Sequence, residues 1–162
     1  MRLIQLLLLT ILLIAPASFL ASPLPQSAPN INVTAAVSPD KVQRGRTVRA
    51  TVVMDIPSGF HVNSNLPLEK FLIPTQLKIE TPRGVRVSAV SYPRAVLRSF
   101  KFSKNRVSVY EGRATMRFSV TVPANFSTGS TELKAHLRYQ SCNDEVCFPP
   151  QSRDVSLWLS VQ

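Results

Sequence analysis

From Ile31 onward the chain alternates apolar and polar residues with a period of two. Ile31, Val33, Ala35 and Val37 begin a first strand, which Ser38-Pro39-Asp40 stops. Val48, Ala50, Val52, Met54 and Ile56 share one face, with Arg49, Thr51 and Asp55 opposite, before Pro57-Ser58-Gly59 turns the chain. Phe60 to Asn63 reads as a short strand, and Leu77 and Ile79 alternate with Lys78 and Glu80. Pro82-Arg83-Gly84 leads into Val85 and Val87. Ala114, Met116, Phe118, Val120 and Val122 face one way, and so do Leu133, Ala135, Leu137 and Tyr139 further on. Val155, Leu157, Leu159 and Val161 close the series, with Trp158 on the opposite face. Alternation of this kind places successive side chains on opposite faces of a strand, one towards a core and one towards water. No segment sustains a helical period, and Pro67 and Pro74 keep the apolar residues of 64–74 from forming a long helix. The pattern predicts an all-β sandwich of about seven to nine strands. The absence of strand–helix alternation argues against a thioredoxin fold.

The first thirty residues do not share this pattern. Met1-Arg2 gives a short positive region, Leu3 to Ile14 is apolar apart from Gln5 and Thr10, and Ala15-Pro16-Ala17 supplies small residues for cleavage. Residues 1–21 therefore read as a secretory signal peptide cut near 17–21, which places the mature chain outside the cytoplasm. Residues 22–30 are a proline-rich linker, and 31–162 form one domain. The 162 residues, 44% hydrophobic and 17% charged, suffice for a globular core. The net charge of +10 is spread singly along strands and turns. With no nucleic-acid motif beside it, that charge reads as a solvated basic surface, and no nucleic-acid partner is expected.

The chain's two cysteines, Cys142 and Cys147, lie between two strand-like runs with four residues separating them. In an exported protein such a pair can persist as a disulfide, provided the turn brings the Cα atoms close enough. A six-residue ring returns about 2.2 kcal/mol of loop entropy, roughly half of what a long loop would give. The pair is poorly placed to staple a domain and well placed, at a hairpin tip, to meet another protein's thiol. A local structural disulfide that tidies the loop is the competing reading. Asp144 and Glu145 between the cysteines would raise a thiol's pKa and make the reduced pair a slow nucleophile in isolation. The competing view is that both are ordinary turn residues.

Four blocks occur in order: Gly59-Phe60-His61-Val62-Asn63, Leu72-Ile73-Pro74-Thr75, Ser108-Val109-Tyr110-Glu111-Gly112, and Tyr139-Gln140-Ser141-Cys142 with Cys147-Phe148-Pro149-Pro150. Together they resemble the N-terminal periplasmic domain of the thiol:disulfide interchange protein DsbD, over roughly residues 31–161. The resemblance implies an immunoglobulin-like β-sandwich in which Cys142 and Cys147 are the redox pair. It implies exchange with thioredoxin-like periplasmic proteins. Cys147 is the better candidate for first attack. Where five residues commonly stand between the family's cysteines, four stand here. The chain ends at Gln162 with neither a membrane domain nor a thioredoxin domain. The expectation is thus a free-standing, monomeric module fed by a separate membrane thiol transporter. The alternative is a non-catalytic immunoglobulin-like binding module.

The stretch from Tyr92 to Tyr110 is basic and too irregular for a core strand. In the similar domain a cap loop here lays an aromatic ring over the disulfide. Phe102 is the nearer match to that position and Phe100 the alternative. The other expected neighbours of the pair are Phe60, His61, Tyr110, Tyr139, Asp144 and Glu145. His61 reads either as an acid–base neighbour or, by preference, as a surface strand residue. His136 reads as solvated. Two histidines and two cysteines lack the paired spacing of a zinc site, so no metal or other cofactor is expected.

Overall fold

The computed structural model describes residues 27–162. The signal peptide expected over 1–21 and the first part of the linker lie outside them. Twelve strands, and no helix among the described residues, build three sheets. The first sheet runs β1 (Asn32–Ser38), β3 (Thr47–Asp55), β9 (Arg113–Thr121) and β6 (Arg86–Val87), all antiparallel. The second runs β2 (Lys41–Val42), β12 (Gln151–Val161), β10 (Gly129–Tyr139) and β5 (Gln76–Glu80), with β2 parallel to β12. The inward faces of the two sheets make the main core. Val48, Ala50, Val52 and Met54 alternate with partly or fully exposed neighbours along β3, and Leu133, Ala135 and Leu137 do so along β10. Within the first sheet small and large residues face each other in register, Ala50 opposite Phe118 and Met54 opposite Ala114, so the layer fills without voids. Each fully buried aliphatic side chain contributes about 1.5–3 kcal/mol.

This order corresponds to the ABED and GFC sheets of an immunoglobulin domain, with β2 as an added edge strand. The fold is an immunoglobulin-like all-β sandwich. Residues 64–74 form neither helix nor strand, as their prolines require.

The third sheet was not foreseen. It runs β11 (Ser141–Cys142), β4 (His61–Asn63), β8 (Val107–Tyr110) and β7 (Val96–Arg98). Each member comes from a connection: β4 from that between β3 and β5, β7 and β8 from that between β6 and β9, and β11 from that between β10 and β12. All three connections leave the same end of the sandwich, since Asp55 lies opposite Arg113, Tyr139 opposite Gln151 and Arg138 opposite Gln76. The stretch 92–110, expected to be irregular, therefore contains an antiparallel hairpin. Val107, Ser108, Val109 and Tyr110 are all buried, which corrects the reading that no core strand lies there. A strand covered on both faces has no period-two signature to detect. The twelve strands thus exceed the seven to nine expected, although the sandwich itself holds eight.

Candidate functional site

The site is built where β10 leaves the sandwich. Tyr139 is wholly buried in the main core, its hydroxyl donating to Gln151 Oε1 at 3.1 Å, and this anchors the end of the strand. Gln140 then ties two connections together. Its Oε1 accepts from Asn63 Nδ2 and from the Ile73 N–H, both at 3.0 Å, and its Nε2 donates to the Phe148 carbonyl at 3.2 Å. Beyond it the cysteine loop closes on itself. Asn143 Oδ1 accepts from the N–H groups of Glu145 and Val146 at 2.9 and 2.8 Å, an arrangement in which the side chain mimics a backbone turn. The Asn143 N–H donates to the Val146 carbonyl and the Phe148 N–H to that of Ser141, each at 2.9 Å. This turn sets Cys142 and Cys147 opposite each other, Cα atoms 4.0 Å apart, and they form a disulfide. Cys142 is fully buried; Cys147 is half-buried.

Against β11 lies β4, which the Pro57–Phe60 turn delivers. Gly59 has φ +81°, a conformation that side chains rarely adopt, and the Phe60 N–H closes the turn on the Pro57 carbonyl at 3.2 Å. Phe60 packs on the main core with its ring tilted against Phe148, centroids 6.1 Å apart. His61 is the cross-strand partner of Cys142. It is 2% exposed, which overturns the surface reading preferred from sequence. Burial pushes its imidazole down to about 4, against the opposing pull of Glu111 and Asp144.

The segment joining β7 to β8 covers this arrangement. The Phe100 ring stacks on His61 with centroids 3.9 Å apart, and Phe102 stacks outside Phe100 at 5.2 Å. Phe100 therefore takes the inner place and Phe102 the outer. Both rings and Cys147 pack on a small apolar cluster of Leu72, Val107 and Val109. The Lys101 N–H donates to the Asp144 carbonyl at 3.2 Å, and Lys101 Nζ pairs with Glu145 at 3.1 Å. A groove of about 400 Å³, lined by Ser58, Phe60, His61, Phe100, Glu111 and Asp144 among others, opens beside the stack. Arg98 grips Glu111 through two nitrogens and holds its carboxyl below the usual range.

Of the residues expected from sequence, Cys142, Cys147, Phe60, His61, Phe100, Phe102, Asp144 and Glu145 meet at this end. Tyr110 and Tyr139 belong to the core beneath it, where the Tyr110 hydroxyl bonds to Asn65. His136 lies elsewhere, on the second sheet. It is half-buried between Asp154, 2.8 Å from Nδ1, and Glu80, 3.2 Å from Nε2, rather than freely solvated. The acid partners raise its pKa, the hydrogen bond to Asp154 first and that to Glu80 second. Sequence reasoning missed the tie made by Gln140 and the exposed apolar residues Leu66, Leu68, Phe71, Val96, Leu97 and Val146. For Leu66, Leu68 and Phe71 there was a signal: they lie in a proline-interrupted segment that could bury them in neither a helix nor a strand.

A family model described as the N-terminal domain of the thiol:disulfide interchange protein DsbD matches residues 30–158. The chain belongs to the family of DsbD N-terminal domains. Domains of this family carry out thiol:disulfide interchange in the periplasm with thioredoxin-like partners, and this member has its cysteine pair at bonding distance. Among solved structures, the Neisseria meningitidis DsbD N-terminal domain in the reduced form is 19% identical, with a TM-score of 0.46 over 68% of this chain and 77% of that one. The N-terminal periplasmic domain of ScsB from Proteus mirabilis is 15% identical, with a TM-score of 0.49 over 80% of this chain and 45% of that one. A cohesin from a Clostridium thermocellum cohesin–dockerin complex is 10% identical, with a TM-score of 0.47 over 80% of this chain and 99% of that one. A search of curated proteins gives no match.

Proposed function

We propose that this chain is an electron carrier whose Cys142–Cys147 pair alternates between disulfide and dithiol as it meets thioredoxin-like proteins. The observation that carries the reading is the asymmetry of the bridge. At the loop end of the sandwich one sulfur-bearing residue, Cys147, is half-buried and shares the Leu72, Val107 and Val109 cluster with Phe100 and Phe102, and the other, Cys142, is fully buried. An incoming thiolate attacks Cys147 Sγ in line with the bridge. The Cys142–Cys147 bond breaks, Cys142 leaves with the electron pair and takes up a proton, and a mixed disulfide forms on Cys147. The partner's second thiolate then attacks its own sulfur in that mixed disulfide. The partner becomes a disulfide, and Cys147 leaves as a thiolate that takes up the second proton. Two electrons have passed to this domain; run in reverse, the same steps reduce a partner's disulfide. Residues 1–21 direct export, the mature chain acts as a monomer, and a separate membrane thiol transporter supplies the electrons. Asp144 and Glu145 disfavour a thiolate in the free domain, so exchange waits for a docked partner.

A redox titration and a trapping experiment test this. The potential is expected between about −270 and −120 mV, the span of known exchangers. Cys142→Ser, which leaves Cys147 free, should capture a thioredoxin-like protein as a mixed disulfide, and Cys147→Ser should capture little. The double variant should stay folded, because the ring contributes only about 2 kcal/mol. A potential below about −300 mV, with no reduction by thioredoxin and no capture by either variant, would make the bridge structural.

A further inference from the structure

We propose that His61 accepts the proton of Cys142 when the reduced domain resolves a mixed disulfide held on Cys147. The inference rests on the redox reading of the pair and adds the group that makes its buried half reactive.

Three observations support it. First, His61 and Cys142 are directly opposed in the β4–β11 pairing. Directly opposed residues project from the same face with Cβ atoms about 4.5–5.5 Å apart. Second, Nε2 of His61 is buried and has no hydrogen-bond partner among the described residues. Leaving such an atom unpaired costs free energy, so it calls for a partner, either a water or a group that gains a proton in another redox state. A disulfide sulfur has no proton to give. Reduction puts an S–H on Cys142, beside this ring. Third, the charged groups around the imidazole are otherwise engaged or exposed. Glu111, from the turn after β8, is held by Arg98 of β7. Asp144 of the cysteine loop is exposed, and Lys101 of the cap is paired with Glu145. Burial keeps the ring neutral at neutral pH and makes it a weaker base than a free imidazole, so the proton moves to it only as the sulfur attacks.

The step balances as follows. Cys142 gives its proton to the imidazole as its sulfur attacks Cys147 Sγ. The Cys142–Cys147 bond forms, the bond from Cys147 to the partner's sulfur breaks, and the electron pair leaves on that sulfur. The proton then passes from His61 to solvent or to the leaving thiolate. A fully buried thiol is the one that most needs such a base, because burial raises its pKa.

Ellman's reagent, 5,5′-dithiobis(2-nitrobenzoate), separates the two sulfurs without any protein partner. Attack by Cys147 on the reagent releases one thionitrobenzoate, and attack by Cys142 on the resulting mixed disulfide releases the second. In stopped flow from about pH 5 to 9, His61→Gln and His61→Phe should slow the second release about 10²-fold near neutral pH and leave the first within about twofold. The gap should narrow as pH climbs past the ordinary thiol pKa of about 8.5, where the thiol ionises unaided. His61→Phe keeps a ring under Phe100 but cannot take a proton. If it matches the wild type, or if both variants slow the second release equally at every pH, His61 has only a packing role and the proposal falls. An unchanged second release in both variants also overturns it. Failure to exchange with thioredoxin would sink the carrier reading and leave this result standing.

Discussion

Replacing Phe100 by Ala should open the disulfide to small reductants more than replacing Phe102. Phe100 makes two ring contacts, with His61 at 3.9 Å and with Phe102 at 5.2 Å. Ring pairs of this kind contribute about 0.5–1.5 kcal/mol each beyond area burial. Phe100→Ala therefore removes about 1–3 kcal/mol from the closed arrangement; Phe102→Ala removes the shared Phe100–Phe102 stack and a looser one on His61 at 6.2 Å, which places it towards the lower end of that range. Access to the sulfur is one of the factors that set an exchange rate. If the cap must lift before attack on Cys147, reduction by dithiothreitol should speed up about 5- to 150-fold in Phe100→Ala and by less, towards the lower end of that range, in Phe102→Ala. The assay is pseudo-first-order reduction at fixed pH, with urea unfolding of each variant to show that the sandwich is intact. Lys101→Ala serves as a calibration. Its ion pair with Glu145 is exposed and worth about 0–1 kcal/mol, so its effect should be small. A Phe100→Ala rate equal to wild type, or a larger effect from Phe102→Ala, would refute the reasoning.

Gln140→Leu keeps the volume but leaves the Ile73 N–H without its acceptor, the Phe148 carbonyl without its side-chain donor and Asn63 Nδ2 with one partner fewer; at about 1–3 kcal/mol per unmet group, urea unfolding should show a loss of at least about 2 kcal/mol. A loss below about 1 kcal/mol would mean that water takes over these groups. The two histidines should affect stability in opposite directions as pH changes. His61 has a folded pKa of about 4 against an ordinary imidazole value of 6.5, so the unfolded chain binds more protons between those values, and stability falls as pH drops through that window. His136 has a raised folded pKa, so its contribution is complete below 6.5 and is lost as pH rises through the folded value. Urea midpoints across pH should lose the first dependence in His61→Phe and the second in His136→Asn. If each variant keeps the wild-type slope, the shifts are misassigned.

The sandwich was legible because its strands have one wet face. Val48 to Ile56 and Leu133 to Tyr139 carry the alternation in full, and every apolar position named there is buried. The third sheet was legible only in part: Phe60 to Asn63 reads as a strand, but β8 is covered on both sides, and nothing local shows that β4, β7, β8 and β11 pair into one sheet or that polar residues of β4 and β8 are buried by distant segments. His61 was misplaced on these grounds. Its burial depends on Phe100, thirty-nine positions along the chain, and on β11, eighty along. The spacing of the cysteine pair left a structural and a redox bridge both open, and the resemblance of the surrounding blocks favoured exchange. What spacing could not show was which sulfur is buried, since that depends on how β11 pairs with β4. Gln140 stood within a recognisable block, yet its role follows only from the convergence of two connections at one end of the fold.

That convergence accounts for how a rigid sandwich can carry a disulfide that is both fixed and reachable. The sulfurs are fixed from below. Cys142 sits in a strand paired with β4, β4 is paired with β8, and Gln140 bonds across to Asn63, Ile73 and Phe148. Lifting these groups would strand buried polar atoms and expose core apolar surface. The cover is held from above by the three ring stacks among His61, Phe100 and Phe102, the packing of both phenylalanines on Leu72, Val107 and Val109, one backbone hydrogen bond from Lys101 to Asp144 and one exposed ion pair. Contacts of this local kind open at less cost than unfolding the whole domain. On the exchange reading proposed above, a partner displaces only this cover to reach Cys147, while Cys142 and His61 stay in place beneath.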